Sequence, residues 1–250
     1  RLKNDILKEL PTVHEEKPII INLTPNQKRE YEKVIEDIKA SNNNLKDSFK
    51  ILNKLLTICD YDIETDESNK INKITENLLD IKKKGEKAVV FSYLVKPLNL
   101  LKKKLDENKI KSVIFDGQLD QNDRSKIIEH FKQDEAITCF LASMRAGGEG
   151  LTLTEANHVL FINRWWNPST NFQARDRVVR LGQKREVFIK YYVSKDTIEE
   201  NLSEILKNKE EISIRNIESS RIKSLNNIND EKDVLNETMM SLKKIIEDEN

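Results

Sequence analysis

Seven of the eleven arginines in this 250-residue chain fall between positions 124 and 185: Arg124, Arg145, Arg164, Arg175, Arg177, Arg180 and Arg185. Lysines number 32, so the chain switches to arginine in one region. Both side chains serve solubility, but only the guanidinium fork grips a phosphate with two parallel hydrogen bonds. Within FQARDRVVRLGQKRE (172–186), Gln173, Arg177 and Arg180 stand at i, i+4 and i+7. On a helix they share one face within roughly 60°. That stripe fits an anionic partner such as a polyphosphate, with Ala174, Val178 and Leu181 on the packing side. A solvated helix with Asp176 paired locally is the plainer alternative.

Three of the six glycines, Gly147, Gly148 and Gly150, lie together in ASMRAGGEGLTLT (142–154). Glycines let the backbone approach a ligand and turn its N–H groups into an anion nest, here beside Arg145. A tight strand-to-helix turn would use the same glycines. RWWNP (164–168) puts two tryptophans at the end of an apolar run. Alternation along a strand sends them in opposite directions. Trp165 is then the core candidate and Trp166 the exposed one, able to stack on nucleic acid; both buried is the other option.

The positioning elements follow from the pattern. Apolar, β-branched runs at 88–92, 111–115, 136–142, 158–163 and 187–193 are separated mostly by helical segments at 96–107, 121–133 and 169–181. Such alternation argues for a parallel sheet covered on both faces, an α/β doubly wound domain. Ligands then bind beyond the carboxyl ends of the strands, where the rare Gly, Arg and Trp residues cluster. Before this region come a short strand at 18–23 and helices at 23–40, 46–58 and 70–84. The first of these is capped by Thr24 with Pro25 at its first position. A helix at 196–211 follows, then a polar stretch, 212–250, expected to be helical or partly disordered.

Composition limits the function. Basic and acidic residues balance at 43 each, which excludes a uniformly basic binder but not a local stripe. Two cysteines, Cys59 and Cys139, make neither a disulfide framework nor a zinc site. No apolar run has the length of a membrane span, and no signal core opens the chain, so an intracellular protein is expected: cytoplasmic in a bacterium or archaeon, nuclear in a eukaryote. The chain starts without Met and has neither a GxxxxGK[ST] loop nor a DExH acidic pair. Phosphate-facing arginines without a cradle or magnesium ligands suggest half of a larger machine.

From about 88 to 207 the sequence resembles the C-terminal RecA-like lobe of helicase superfamily two, in particular the Swi/Snf-type DNA-dependent ATPases. VVFSYL, the FDGQ block with Arg124 and Phe131, ASMRAGGEGLTLT, RWWNP and QARDRVVRLGQ occur in that family's order. RLKNDILKELP and INLTPNQKREYEKV resemble its interlobe crossing and the start of its helical insertion. Three positions depart: Val179 for the usual His, Arg145 for Lys and Gln118 for Ser.

The resemblance implies three parts: an interlobe crossing and helical subdomain at 1–85, a RecA-like lobe at 86–211, and a tail at 212–250. It implies that Arg177 and Arg180 are fingers reaching the γ-phosphate of ATP, with Gln173 at the interlobe cleft. Gly148, Glu149 and Gly150 would lie near the ribose. Ser92, Asp116, Gly117, Gln118, Ser143, Arg145 and Gly147 would grip the DNA backbone, and Trp166 would push the tracking strand. ATP and Mg²⁺ would be held mainly by a first lobe absent from this sequence, and no resident metal is implied. The expected partners are double-stranded DNA and that first lobe, with no membrane. The expected function is the motor lobe of an ATP-dependent double-stranded-DNA translocase. Rivals are a strand-separating RNA or DNA helicase and a non-catalytic docking module.

Overall fold

A computed structural model of the chain describes residues 10–40, 48–146, 151–219 and 227–248. The chain divides into two compact units. One takes in the chain up to Ile19, Lys70–Arg164 and Thr170–Tyr192; the other Ile20–Asn69, Trp165–Ser169 and the chain from Val193 on.

The first unit is built on a parallel sheet. Its order is β1 (Val13–Glu15), β7 (Val187–Ser194), β6 (His158–Phe161), β3 (Ala88–Ser92), β5 (Ile137–Ser143), β4 (Lys111–Phe115). A seventh strand, β2 (Ile19–Ile21), pairs with β7 off this path. The central strands β3 and β5 are buried along their whole length, which explains why they read as unbroken apolar runs. Alternation sorts their side chains. Ala88, Val90, Cys139, Leu141 and Leu160 face helices α3 (Asn69–Lys83) and α4 (Val95–Glu107). Phe91, Phe161 and Tyr191 line the opposite face, with successive ring centroids 5.5 and 5.2 Å apart. There Phe140 meets Phe131 of α5 (Gln121–Gln133) edge-on at 5.1 Å, a contact worth about 0.5–1.5 kcal/mol beyond area burial.

Helices α3 and α4 end alike. Glu86 N–H donates to Ile81 O at 3.1 Å and Ile110 N–H to Leu105 O at 2.9 Å, the six-to-one bond of a Schellman turn. Gly85 supplies the left-handed residue after α3 (φ 67°), but Lys109 occupies the same position after α4 (φ 55°).

The second unit is helical: α1 (Pro25–Ala40), α2 (Ser48–Asp60), α7 (Ile198–Ser219) and α8 (Asn227–Asp248). Tyr31, Ile35, Leu52, Leu55, Leu202, Leu206, Val234 and Leu242 form its core. A capping box starts α1: Gln27 N–H donates to Thr24 Oγ1 at 3.2 Å and Thr24 N–H to Gln27 Oε1 at 3.1 Å. The expected three-part division places some elements differently. α3 packs on the sheet, and α8, expected within a tail, packs in the helical core. Lys209 of α7 pairs with Glu237 of α8 at 2.9 Å. Among the described residues no helix is long and apolar enough to cross a membrane.

Candidate functional site

The loops at the carboxyl ends of β3, β5 and β6 are tied together at their bases. Ser92, the last residue of β3, donates its hydroxyl to Asn163 Oδ1 at 3.2 Å and accepts the Leu94 N–H at 3.1 Å. Asn163 Oδ1 also accepts the Tyr93 N–H at 2.9 Å, and Met144 N–H donates to Ser92 O at 2.9 Å. Ser92 is 0% exposed and Ser143 4%. The expectation that these two hydroxyls face a DNA backbone is therefore corrected: Ser92 and Ser143 are interior residues, and Ser92 supports the loops. Asn163 was not anticipated. Its only sequence signal is a buried amide placed directly after an apolar strand.

Arg145 is exposed beyond β5. Gly147, Gly148, Glu149 and Gly150 lie outside the described residues. Past them, Thr152–Ala156 is laced to the segment that carries the arginine pair. Leu153 N–H donates to Arg177 O at 2.9 Å, Arg180 Nη1 to Thr152 Oγ1 at 3.0 Å and Gln183 Nε2 to Ala156 O at 2.7 Å. Arg185 Nη2 donates to Glu155 O.

This lacing overturns the single helical face. Helix α6 covers only Pro168–Arg175, because the Arg177 carbonyl is taken by Leu153 and the chain continues in tight turns to Gly182 (φ 98°). Gln173 is exposed on α6. Arg177 is 8% exposed, its guanidinium 5.8 Å from the Phe91 ring centroid, and burial lowers its pKa. Arg180 is exposed. The pair is thus one buried and one exposed guanidinium, both fastened to the chain that leaves the glycine loop.

After β4, Asp116 Oδ1 accepts the Gln118 N–H at 2.9 Å, leaving Gly117 and Gln118 exposed. Arg124 anchors this loop from α5, donating to Leu119 O at 3.1 Å and lying over Phe115. The tryptophan assignment is reversed. Trp166 is 2% exposed in the helical unit's core, and Trp165 is partly buried against that core. Alternation fails here because β6 ends at Phe161 and the chain bends at 162–163 before the tryptophans. Arg164, also unanticipated, is buried with its guanidinium 4.4 Å from the Tyr191 ring centroid.

A profile of the helicase conserved C-terminal domain matches residues 69–182, which hold β3 to β6, the glycine loop and the arginine pair. The chain is 40% identical to DNA repair protein RAD5B of Arabidopsis thaliana over 141 residues, 56% of this chain and 11% of that protein. It is 30% identical to uncharacterized ATP-dependent helicase MG018 of Mycoplasma genitalium over 226 residues, 85% of this chain and 21% of that protein. The Sulfolobus solfataricus SWI2/SNF2 ATPase core in complex with dsDNA superposes with a TM-score of 0.68 at 27% identity. That superposition covers 84% of this chain and 47% of that one.

The chain carries a Snf2-type C-terminal helicase lobe.

This Snf2-type lobe spans a small part of the curated relatives it matches, 11% and 21% in the two cases above. Its parallel sheet and covering helices are those of the RecA-like C-terminal lobe of Snf2 ATPases. Gln183 lies one residue past the matched stretch, yet it holds Ala156 and also accepts the Arg185 N–H at 3.0 Å. Its signal in the sequence is its place as the last residue of the QARDRVVRLGQ block.

Proposed function

We propose that this lobe works in an ATP-driven double-stranded-DNA translocase, with Arg180 and Arg177 serving nucleotide hydrolysis and the loops after β4 and β5 serving the duplex. The observation that carries the reading is the lacing of both arginines to Thr152–Leu153, the chain leaving the glycine loop. Arg180 has the exposed guanidinium, held at its base by Thr152, and suits a phosphate presented by another lobe. Arg177, buried against Phe91, sets the local positive potential in a low-dielectric setting. Bound ATP with Mg²⁺ supplies the phosphoryl group; the guanidiniums neutralise charge that develops on it, an effect worth about 10³–10⁵ in rate where comparable fingers were measured. On the duplex side, Arg145, Gly117 and Gln118 are exposed and suit backbone contacts that carry no sequence information. The double-stranded DNA bound to the Sulfolobus relative supports that partner.

The test is Arg180→Ala in a protein joining this lobe to its first lobe. Nucleotide affinity should stay within a factor of about three while DNA-stimulated turnover falls by about 10³ or more. Near-normal turnover would sink the finger role. Strand separation of a blunt duplex by the intact protein would instead mark a strand-separating helicase.

A further inference from the structure

Between residues 80 and 111 the chain has ten lysines and four acidic residues, a net of +6 in a molecule whose total is zero. The fold gathers part of this excess at one edge. α3 and α4 pack on the same sheet face and feed β3 and β4, so their C-terminal turns meet the amino ends of those strands. Lys82 Nζ donates to Lys109 O at 2.6 Å, joining the two turns. This edge is opposite to the loops after β3 and β5.

Many of the lysines nearby are neutralised locally. Lys83 pairs with Asp80 at 2.9 Å, Lys102 with Asp106 at 2.5 Å and Lys111 with Asp134 at 3.7 Å. Lys82, Lys84 and Lys109 are exposed, and none of them forms an ion pair among the described residues. Glu86, the acid nearest to Lys84 in sequence, is engaged by His158 at 2.7 Å and Asn157 at 3.0 Å.

A second observation concerns Lys109 itself. It sits in the left-handed position that the matching turn fills with Gly85. A non-glycine residue there strains the backbone, and it places one more lysine on this edge.

We infer that the Lys82–Lys84–Lys109 edge is a second duplex-binding surface, gripping phosphates at the end of the sheet away from the loops. The inference takes the duplex proposed above as its ligand. The chemistry selects that class of partner. Lysines are flexible point charges, suited to a row of phosphates and poorly suited to bidentate carboxylate recognition. None of the exposed large apolar side chains among the described residues falls between 80 and 111. A protein interface needs such groups for its core.

The experiment measures affinity of the 250-residue chain for a fluorescent duplex by anisotropy across a salt series. Lys82→Glu/Lys84→Glu/Lys109→Glu should lower the slope of log K against log[salt] by about 2.7, three phosphate contacts' worth, in a variant that still unfolds cooperatively. The corresponding triple Lys→Arg variant should keep the slope. Arg145→Ala, on the loop side, should lower it by about 0.9, additively with the edge variant. An unchanged slope in the triple Glu variant overturns the inference. So does a poly-glutamate peptide that competes as well as duplex of equal charge, which would make the partner an acidic protein. If only Arg145→Ala has an effect, the loop reading stands and the edge falls; if only the edge variant has one, the reverse holds.

Discussion

Trp166 fills the core of the helical unit at 2% exposure, with Phe49 5.6 Å away and Trp165 4.8 Å away by ring centroids. Trp166→Ala leaves a cavity that its neighbours cannot close and should cost about 3–5 kcal/mol in chemical denaturation. Trp165→Ala keeps that core volume filled and should cost clearly less. Of the two, only Trp165 is partly exposed, so any stacking on a strand falls to it. In a two-lobe protein Trp165→Ala is then the variant expected to lose triplex displacement while keeping ATPase. A larger stability loss from Trp165→Ala than from Trp166→Ala would undo this assignment. The expectation that the two would point in opposite directions fails, because both pack on the helical core. Which one went deeper was not legible either, because the outcome depends on bends at 162–163 that no side-chain pattern marks.

At the scale of elements, strand runs and helix starts were legible where local chemistry decides them. AVVFS and ITCFLA are strands because both sheet faces are covered, and Thr24, Pro25 and Gln27 announce α1 within four residues. The end of α6 was not legible. The bond that stops the helix joins Arg177 O to Leu153 N–H, residues distant in sequence, and local propensity is blind to it. β1 escaped for another reason: three exposed residues, VHE, carry no apolar signal. Because a turn and not a helix presents Arg180, its aim depends on Thr152 Oγ1. Thr152→Val keeps the shape and removes the acceptor. Stability should stay within about 0.5 kcal/mol, as for ordinary surface changes. Turnover of the two-lobe protein should fall, though less than for Arg180→Ala. Unaltered turnover would show that the tether is idle.

The whole fold carries a pH dependence through one row across the sheet. His14, Phe188 and His158 are register neighbours on β1, β7 and β6, stacked at 5.0 and 5.3 Å. Burial lowers the His158 pKa and outweighs the pull of Glu86, so the folded state favours the neutral ring. Burial pushes Glu86 up, but hydrogen bonds from His158 and Asn157 outweigh it and leave the carboxylate below its usual range. Both signs agree. The stability from neutral His158 is present above the unfolded histidine value of about 6.5 and is lost as pH falls below it; that from Glu86 is lost below about 4.5. The urea midpoint of the 250-residue chain should therefore fall between pH 7.5 and pH 5.5, and His158→Gln should flatten that part of the curve. A midpoint that rises on acidification would contradict the neutral ring. The Ser92–Asn163 node has a mechanical consequence as well. Its bonds to Tyr93, Leu94 and Met144 make the roots of three loops one stiff plate, not three independent fingers. A push delivered to any one root is carried to the others with little slack. In the proposed translocase, a lobe that turns a small displacement into a step would gain leverage from that stiffness.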